Sequence, residues 1–158
     1  MKVLLIDNKN GSHSATVTSV VRMVNPNADI EVYGICDKGG TTTCDKLVGG
    51  LVYALANNYK LVNISLGLTE CTEELRNIVN RCITKGVILV CASGNNYSVY
   101  PALLDGVISV GAVDQEGNIC SYTTNSYDIL ACGEYEGFRG TSFACAYVTG
   151  LLSLIGGE

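Results

Sequence analysis

The sequence predicts an α/β fold, a doubly wound and mostly parallel sheet with helices on both faces. Three observations predict it. Short β-branched runs alternate with segments of helical period along the whole chain. The first of these runs, Val3-Leu4-Leu5-Ile6, is apolar at every position, as a strand covered on both faces should be. The 158 residues are 47% apolar and only 16% charged, and a chain of this size buries roughly 70% of the surface it exposes when unfolded. No internal repeat, low-complexity stretch or linker interrupts it, so a single domain over residues 2–156 is expected.

Taken in order, Val3 to Ile6 is a buried strand, and Ser14 to Val24 a helix with Val17, Val20, Val21 and Val24 on one face. Ile30 to Ile35 is the second strand. After the Gly39-Gly40 turn, a helix from Cys44 to Asn57 carries Leu47, Leu51, Ala54 and Leu55 inward. Leu61 to Ile64 is the third strand, Glu70 to Lys85 a helix with Leu75, Ile78, Val79 and Cys82 inward, and Val87 to Cys91 the fourth strand. Val107 to Val110 is the fifth. Between Asp114 and Gly140 the pattern breaks into short extended pieces and turns, with Tyr127 to Leu130 the best strand candidate. A last apolar helix runs from Ser142 to about Leu154, and Gly156-Gly157 ends it.

Fifteen acidic against ten basic side chains give a net charge of −5. Without basic runs to neutralise phosphates, nucleic acid is not an expected partner. No apolar run approaches the ~20 residues of a membrane span, and the opening apolar run is too short for a secretory signal. A cytoplasmic protein without signal peptide or propeptide is therefore expected. The eight cysteines contain no CxxC pair, and with one histidine in the chain a zinc site would need distant thiolates to converge. Reduced core thiols are expected, with no metal and no cofactor.

In a parallel sheet, functional groups collect at the carboxyl ends of the strands. The residues just past them are Asp7, then Ser65-Leu66-Gly67, then Ala92-Ser93-Gly94-Asn95. His13 opens the first helix, and Ser142 sits in Gly140-Thr141-Ser142 at the mouth of the last. An Asp that orients a His, a His that takes a proton from Ser, and an amide donor for an oxyanion are the parts of an acyl-transfer site. Each residue alone also has an ordinary role: Asp7 as a turn former, His13 as a first-turn polar residue, Ser142 as an N-cap. Cys145, one helical turn past Ser142, is a second nucleophile candidate at a position expected to face the core. A nucleotide site has no GxGxxG or Walker motif to support it.

Gly140-Thr141-Ser142-Phe143-Ala144-Cys145-Ala146-Tyr147-Val148-Thr149-Gly150 resembles the nucleophile motif of the subtilisin-like serine proteases, Gly-Thr-Ser-Met-Ala-x-Pro-x-Val-x-Gly. Leu4-Leu5-Ile6-Asp7 is similar to that family's aspartate strand, and His13-Ser14-Ala15-Thr16-Val17 to its histidine segment. Val62-Asn63-Ile64-Ser65-Leu66-Gly67 resembles its substrate-binding strand, and Val90-Cys91-Ala92-Ser93-Gly94-Asn95 the strand bearing its oxyanion asparagine. Tyr100-Pro101-Ala102 and Ala131-Cys132-Gly133 complete a match from residue 3 to about 155, in the family's order. The departures lie beside the triad. Asp7 is followed by Asn8-Lys9 instead of Thr/Ser-Gly, the motif's Pro is Ala146, and only five residues separate Asp7 from His13.

The resemblance implies a subtilisin-like three-layer fold and a serine endopeptidase. Its catalytic residues would be Asp7, His13 and Ser142, with Asn95 as oxyanion donor. It further implies that Ser65, Leu66 and Gly67, with the Gly39-Gly40-Thr41 turn, flank an extended substrate, and that Ala92, Ser93 and Gly94 line the pocket for the residue before the cut. The expected partner is a peptide or unfolded protein, and a homodimer is expected to cover apolar helix faces left bare by so short a core. The alternative is a subtilase-like module that binds peptides without cutting them. The family's calcium sites lie in loops missing here, and the acids of this chain are scattered, whereas a hard-cation site needs roughly six to eight clustered oxygens. Micromolar calcium is thus expected to leave the melting temperature unchanged; a strong rise on calcium titration would contradict this.

Overall fold

The computed structural model describes residues 1–156. Six strands form one sheet: β1 (Val3–Asp7), β2 (Ile30–Gly34), β3 (Leu61–Ile64), β4 (Ile88–Ala92), β5 (Ile108–Val113) and β6 (Ile129–Cys132). Their order is β2-β1-β3-β4-β5-β6, and every pairing is parallel. The chain moves from β1 outward to β2, then returns to the other side of β1 for β3. That reversal makes β1 and β3 the switch point, where a parallel sheet opens a crevice at its carboxyl rim.

Four helices cover the faces: α1 (Ser12–Val24), α2 (Cys44–Ala56), α3 (Glu73–Thr84) and α4 (Thr141–Ile155). Side chains alternate across a strand, so β1 serves two cores at once. Val3 and Leu5 pack with Val17, Val20 and Val21 of α1 and with Ala144, Ala146 and Val148 of α4. Leu4 and Ile6 pack with Leu47 and Leu51 of α2 and with Leu75 and Val79 of α3. The three-layer α/β architecture expected from the sequence is the one observed.

The boundaries differ where side chains cap the backbone. Helix α3 starts at Glu73 rather than Glu70 because the Thr72 hydroxyl accepts from the Leu75 N–H at 3.2 Å, fixing Thr72 as N-cap. β6 starts at Ile129 rather than Tyr127, since the Asp128 carboxylate accepts from the Ser109 N–H at 2.8 Å and its own N–H donates to the Ser109 carbonyl. Within the stretch expected to hold short extended pieces and turns, β7 (Glu134–Tyr135) and β8 (Phe138–Arg139) pair as a hairpin. Its turn holds Glu136 and Gly137 both at positive φ, the two-residue conformation that suits the twist of a hairpin. Gly156 caps α4, and Gly157 lies outside the described residues.

Helices α1 and α4 pack closely because Gly150 has no side chain at their contact. A Cβ there would lie 2.7 Å from Val24 Cβ and 3.0 Å from the Val21 carbonyl oxygen. Gly150→Ala is therefore expected to destabilise the fold by about 1–3 kcal/mol through overpacking, despite alanine's better helix propensity. Urea denaturation measures it, and an unchanged or higher midpoint would contradict the packing argument.

Candidate active site

β1 delivers Asp7 to the carboxyl rim, where it is 3% exposed. The loop over 8–11 is so short that α1 begins immediately beside it, with His13 in its first turn. The two side chains meet: His13 Nδ1 lies 2.8 Å from Asp7 Oδ2, while Asp7 Oδ1 accepts from the Asn8 N–H at 2.7 Å. A carboxylate can only accept, so in the neutral imidazole the proton sits on Nδ1 and the Nε2 lone pair is left free. The hydrogen bond that His13 donates to Asp7 raises the His13 pKa above its ordinary 6.5, against the opposing effect of partial burial.

Ser142 is the second residue of α4, and β3 holds it from below. Its hydroxyl donates to the Ser65 carbonyl at 2.9 Å, and the Ser65 hydroxyl donates to the Ser142 carbonyl at 3.0 Å. Behind Ser65, the Asn63 amide donates to Ser65 Oγ at 2.8 Å, and Thr149 Oγ1 donates to Asn63 Oδ1 at 2.8 Å. Among the described residues, no hydrogen bond joins Ser142 to His13. The His13 ring stands 5.9 Å from that of Phe143, the neighbour of Ser142.

Asn95 follows β4 and is oriented by Thr141. Its Oδ1 accepts from both the Thr141 N–H and the Thr141 hydroxyl at 3.0 Å, which leaves the Nδ2 donors facing away from that pair. The turn into Asn95 needs Gly94, at φ +106°, where an added Cβ would lie 2.2 Å from the Tyr97 carbonyl oxygen. A cavity of about 170 Å³ opens between Asn95 and Ser142, lined also by Leu66, Gly67, Ala92 and Gly94.

Asp7 with His13, and Asn95 with Ser142 and Ser65, thus gather along one rim. The remaining expected residues divide. Ser93 is 1% exposed, its hydroxyl has no partner, and it does not line the cavity. Gly39, Gly40 and Thr41 form an exposed turn whose N–H groups at 39 and 41 donate to Asp37 Oδ1, away from the cavity lining. Cys145 is fully buried, its thiol bonded to Asn63 Oδ1 and the Val90 carbonyl at 3.3 Å, and burial pushes its pKa up to about 12. It has no access to a substrate. Asn63, Thr141 and Thr149 were not singled out from sequence. Only the Asn inside an otherwise apolar strand, Leu61-Val62-Asn63-Ile64, signals the first of them.

The model of the subtilase family matches residues 5–157 of the chain. This protein belongs to the subtilase family. Over 94% of its length the subtilase is 32% identical to a thermostable alkaline protease of Halalkalibacterium halodurans and 29% identical to an intracellular serine protease of Paenibacillus polymyxa. It covers 47% and 53% of those two proteins, so it spans about half the length of the curated relatives it matches. Among solved structures, the protease domain of PatA superposes with a TM-score of 0.88 at 24% identity, over 98% of this chain and 78% of that one. The prenylagaramide maturation protease PagA gives 0.89 at 21% identity, over 98% and 74%. These two likenesses establish the fold alone.

The raised His13 pKa carries a sign. A group whose folded pKa exceeds its unfolded value stabilises fully below the unfolded value, near pH 6.5, and that stability fades as pH climbs through the folded value. With 43% of the His13 side chain exposed, the contribution is small. The single imidazole is expected to titrate above 6.5 by NMR, and Asp7→Asn to bring it down. An unchanged titration in Asp7→Asn would contradict the assigned pair.

Proposed function

We propose that this subtilase is a cytoplasmic serine endopeptidase acting through Ser142, His13 and Asp7. The observation that carries the reading is the Asp7 to His13 Nδ1 bond, which presents a free Nε2 on the rim that also holds Ser142. Before reaction the Ser142 hydroxyl leaves the Ser65 carbonyl and turns to His13 Nε2. Oγ then attacks the peptide carbonyl carbon as its proton passes to Nε2. The oxyanion takes hydrogen bonds from Asn95 Nδ2 and the Ser142 N–H, which as a first-turn helical donor has no intrahelical acceptor. Collapse expels the amine carrying the proton from His13, and water hydrolyses the Ser142 ester by the same relay.

The small cavity beside Ser142 favours small or medium apolar residues before the cut. With little depth for remote contacts, the cleft suits short or unstructured peptides extended along Ser65, Leu66 and Gly67. Gly39-Gly40-Thr41 would lie on the far side of such a peptide. Exposed Leu151, Leu154 and Ile155 on α4 suit coverage by a second copy. The Ser142 to Ser65 bond favours one second reading, a module that holds peptides without cutting them.

Cleavage of a mixed peptide library separates the readings. Ser142→Ala is expected to abolish cutting, and Asn95→Ala to lower kcat by about 10²–10³, a range set by a subtilisin's oxyanion asparagine. Activity unchanged in Ser142→Ala would overturn the assignment. No cutting by the unaltered chain, with peptide binding retained, would establish the binding module. A preference for large aromatic or basic residues before the cut would contradict the small pocket.

A further inference from the structure

We propose that the groove between the carboxyl ends of α2 and α3 docks an acidic, apolar peptide segment, a role that stands apart from the chemistry at Ser142. The groove encloses about 440 Å³, within the range of ligand-binding cavities. Its floor is apolar, with Ile78, Tyr59 and Val87 at 4 to 5% exposure, and Val52 stands on its edge at 47%. Its rim is cationic. Lys60, Arg81 and Lys85 all line it, and among the described residues no acidic side chain does.

These cations are not neutralised. The ion pairs of the described residues are Lys2 with Glu31, His13 with Asp7 and Arg139 with Glu134, so none of the three is paired with a carboxylate. Lys60 makes one long bond, 3.4 Å, to the Lys85 carbonyl. The two helix ends that open here bring about half a negative charge each. Three cations against roughly one negative charge leave the groove with an excess of about two. In a chain of net charge −5, that excess is a local inversion of sign.

An apolar floor beneath a cationic rim fits a partner with aliphatic side chains flanked by carboxylates. Arg81 can take a carboxylate through two parallel N–H bonds. A bare phosphate fits less well, since helix carbonyl ends rather than helix N–H ends open into the groove. A membrane fits less well too, because the site is a cleft between helices rather than a projecting face. The groove adjoins Lys60, one residue before β3, whereas Ser65, one residue after β3, touches Ser142. The two sites therefore stand about 16 Å apart along the strand, at ~3.3 Å per residue. A peptide bound in the groove occupies the opposite rim of the sheet from the cleft.

The test uses the full chain with Ser142→Ala, so that the probe stays intact and the result does not depend on the proposed catalysis. Fluorescence anisotropy would follow a fluorescein-labelled Glu-Leu-Leu-Glu-Glu-Leu peptide and its counterpart with every Glu replaced by Gln. The acidic peptide is expected to bind at least tenfold more tightly at low salt. Arg81→Gln with Lys85→Gln is expected to remove that advantage. If this double variant folds poorly, Val52→Glu, at an exposed edge position, is expected to weaken binding at least tenfold with an unchanged circular dichroism spectrum. Equal binding of the two peptides overturns the proposal, as does binding that survives both variants. Binding to phosphatidylserine vesicles without binding to the peptide would overturn it in favour of a lipid surface.

Discussion

A buried asparagine ties the last helix to the middle of the sheet. Asn63 occupies an inward position of β3 at 0% exposure, a place where an amide costs stability unless its hydrogen bonds are made. They are made: Thr149 and Cys145 donate to its Oδ1, and its amide nitrogen donates to Ser65. Because Ser65 in turn bonds both the hydroxyl and the carbonyl of Ser142, the network reaches from the helix middle to its first turn. These contacts fasten α4 to the sheet and Ser142 to its carboxyl rim.

The other half of the site is set by economy of chain. β1 ends in Asp7, and the loop over 8–11 leaves no room for α1 to start anywhere but beside it. Gly150 then lets α1 press against α4, which brings the His13 end of one helix and the Ser142 end of the other to the same rim. Phe143 meets the His13 ring at 5.9 Å and limits where the imidazole can go. Asn95 joins through Thr141, whose backbone and hydroxyl both hold its oxygen. The site thus rests on strand ends and helix starts rather than on long loops, and rigid elements position side chains better than loops do.

Much of this was legible in the sequence. Apolar runs at Val3, Leu61 and Ile88 and the helical periods between them give the α/β class directly, because a parallel sheet buries both faces of its strands. Asp7, His13, Asn95 and Ser142 stand out as candidates because they sit at strand ends and helix mouths in a recognisable order. The hairpin at 134–139 was not legible, since Glu136 is an unusual residue for the first positive-φ position of its turn. Nor were the contacts of the Asn63 network. Those depend on which residues meet across the sheet, and local pattern carries no information about partners more than eighty positions away, as with Asn63 and Thr149.

The central claim is that Ser142, made nucleophilic by His13 and Asp7, is the reacting atom's carrier. A fluorophosphonate probe tests it most directly, because its phosphorus is attacked by an activated serine and the adduct remains on the hydroxyl. Intact mass and peptide mapping of the treated full chain should place one adduct on Ser142, with labelling lost in His13→Ala while the circular dichroism spectrum stays unchanged. An adduct on another residue, or labelling of Ser142 that persists undiminished in His13→Ala, would contradict the account.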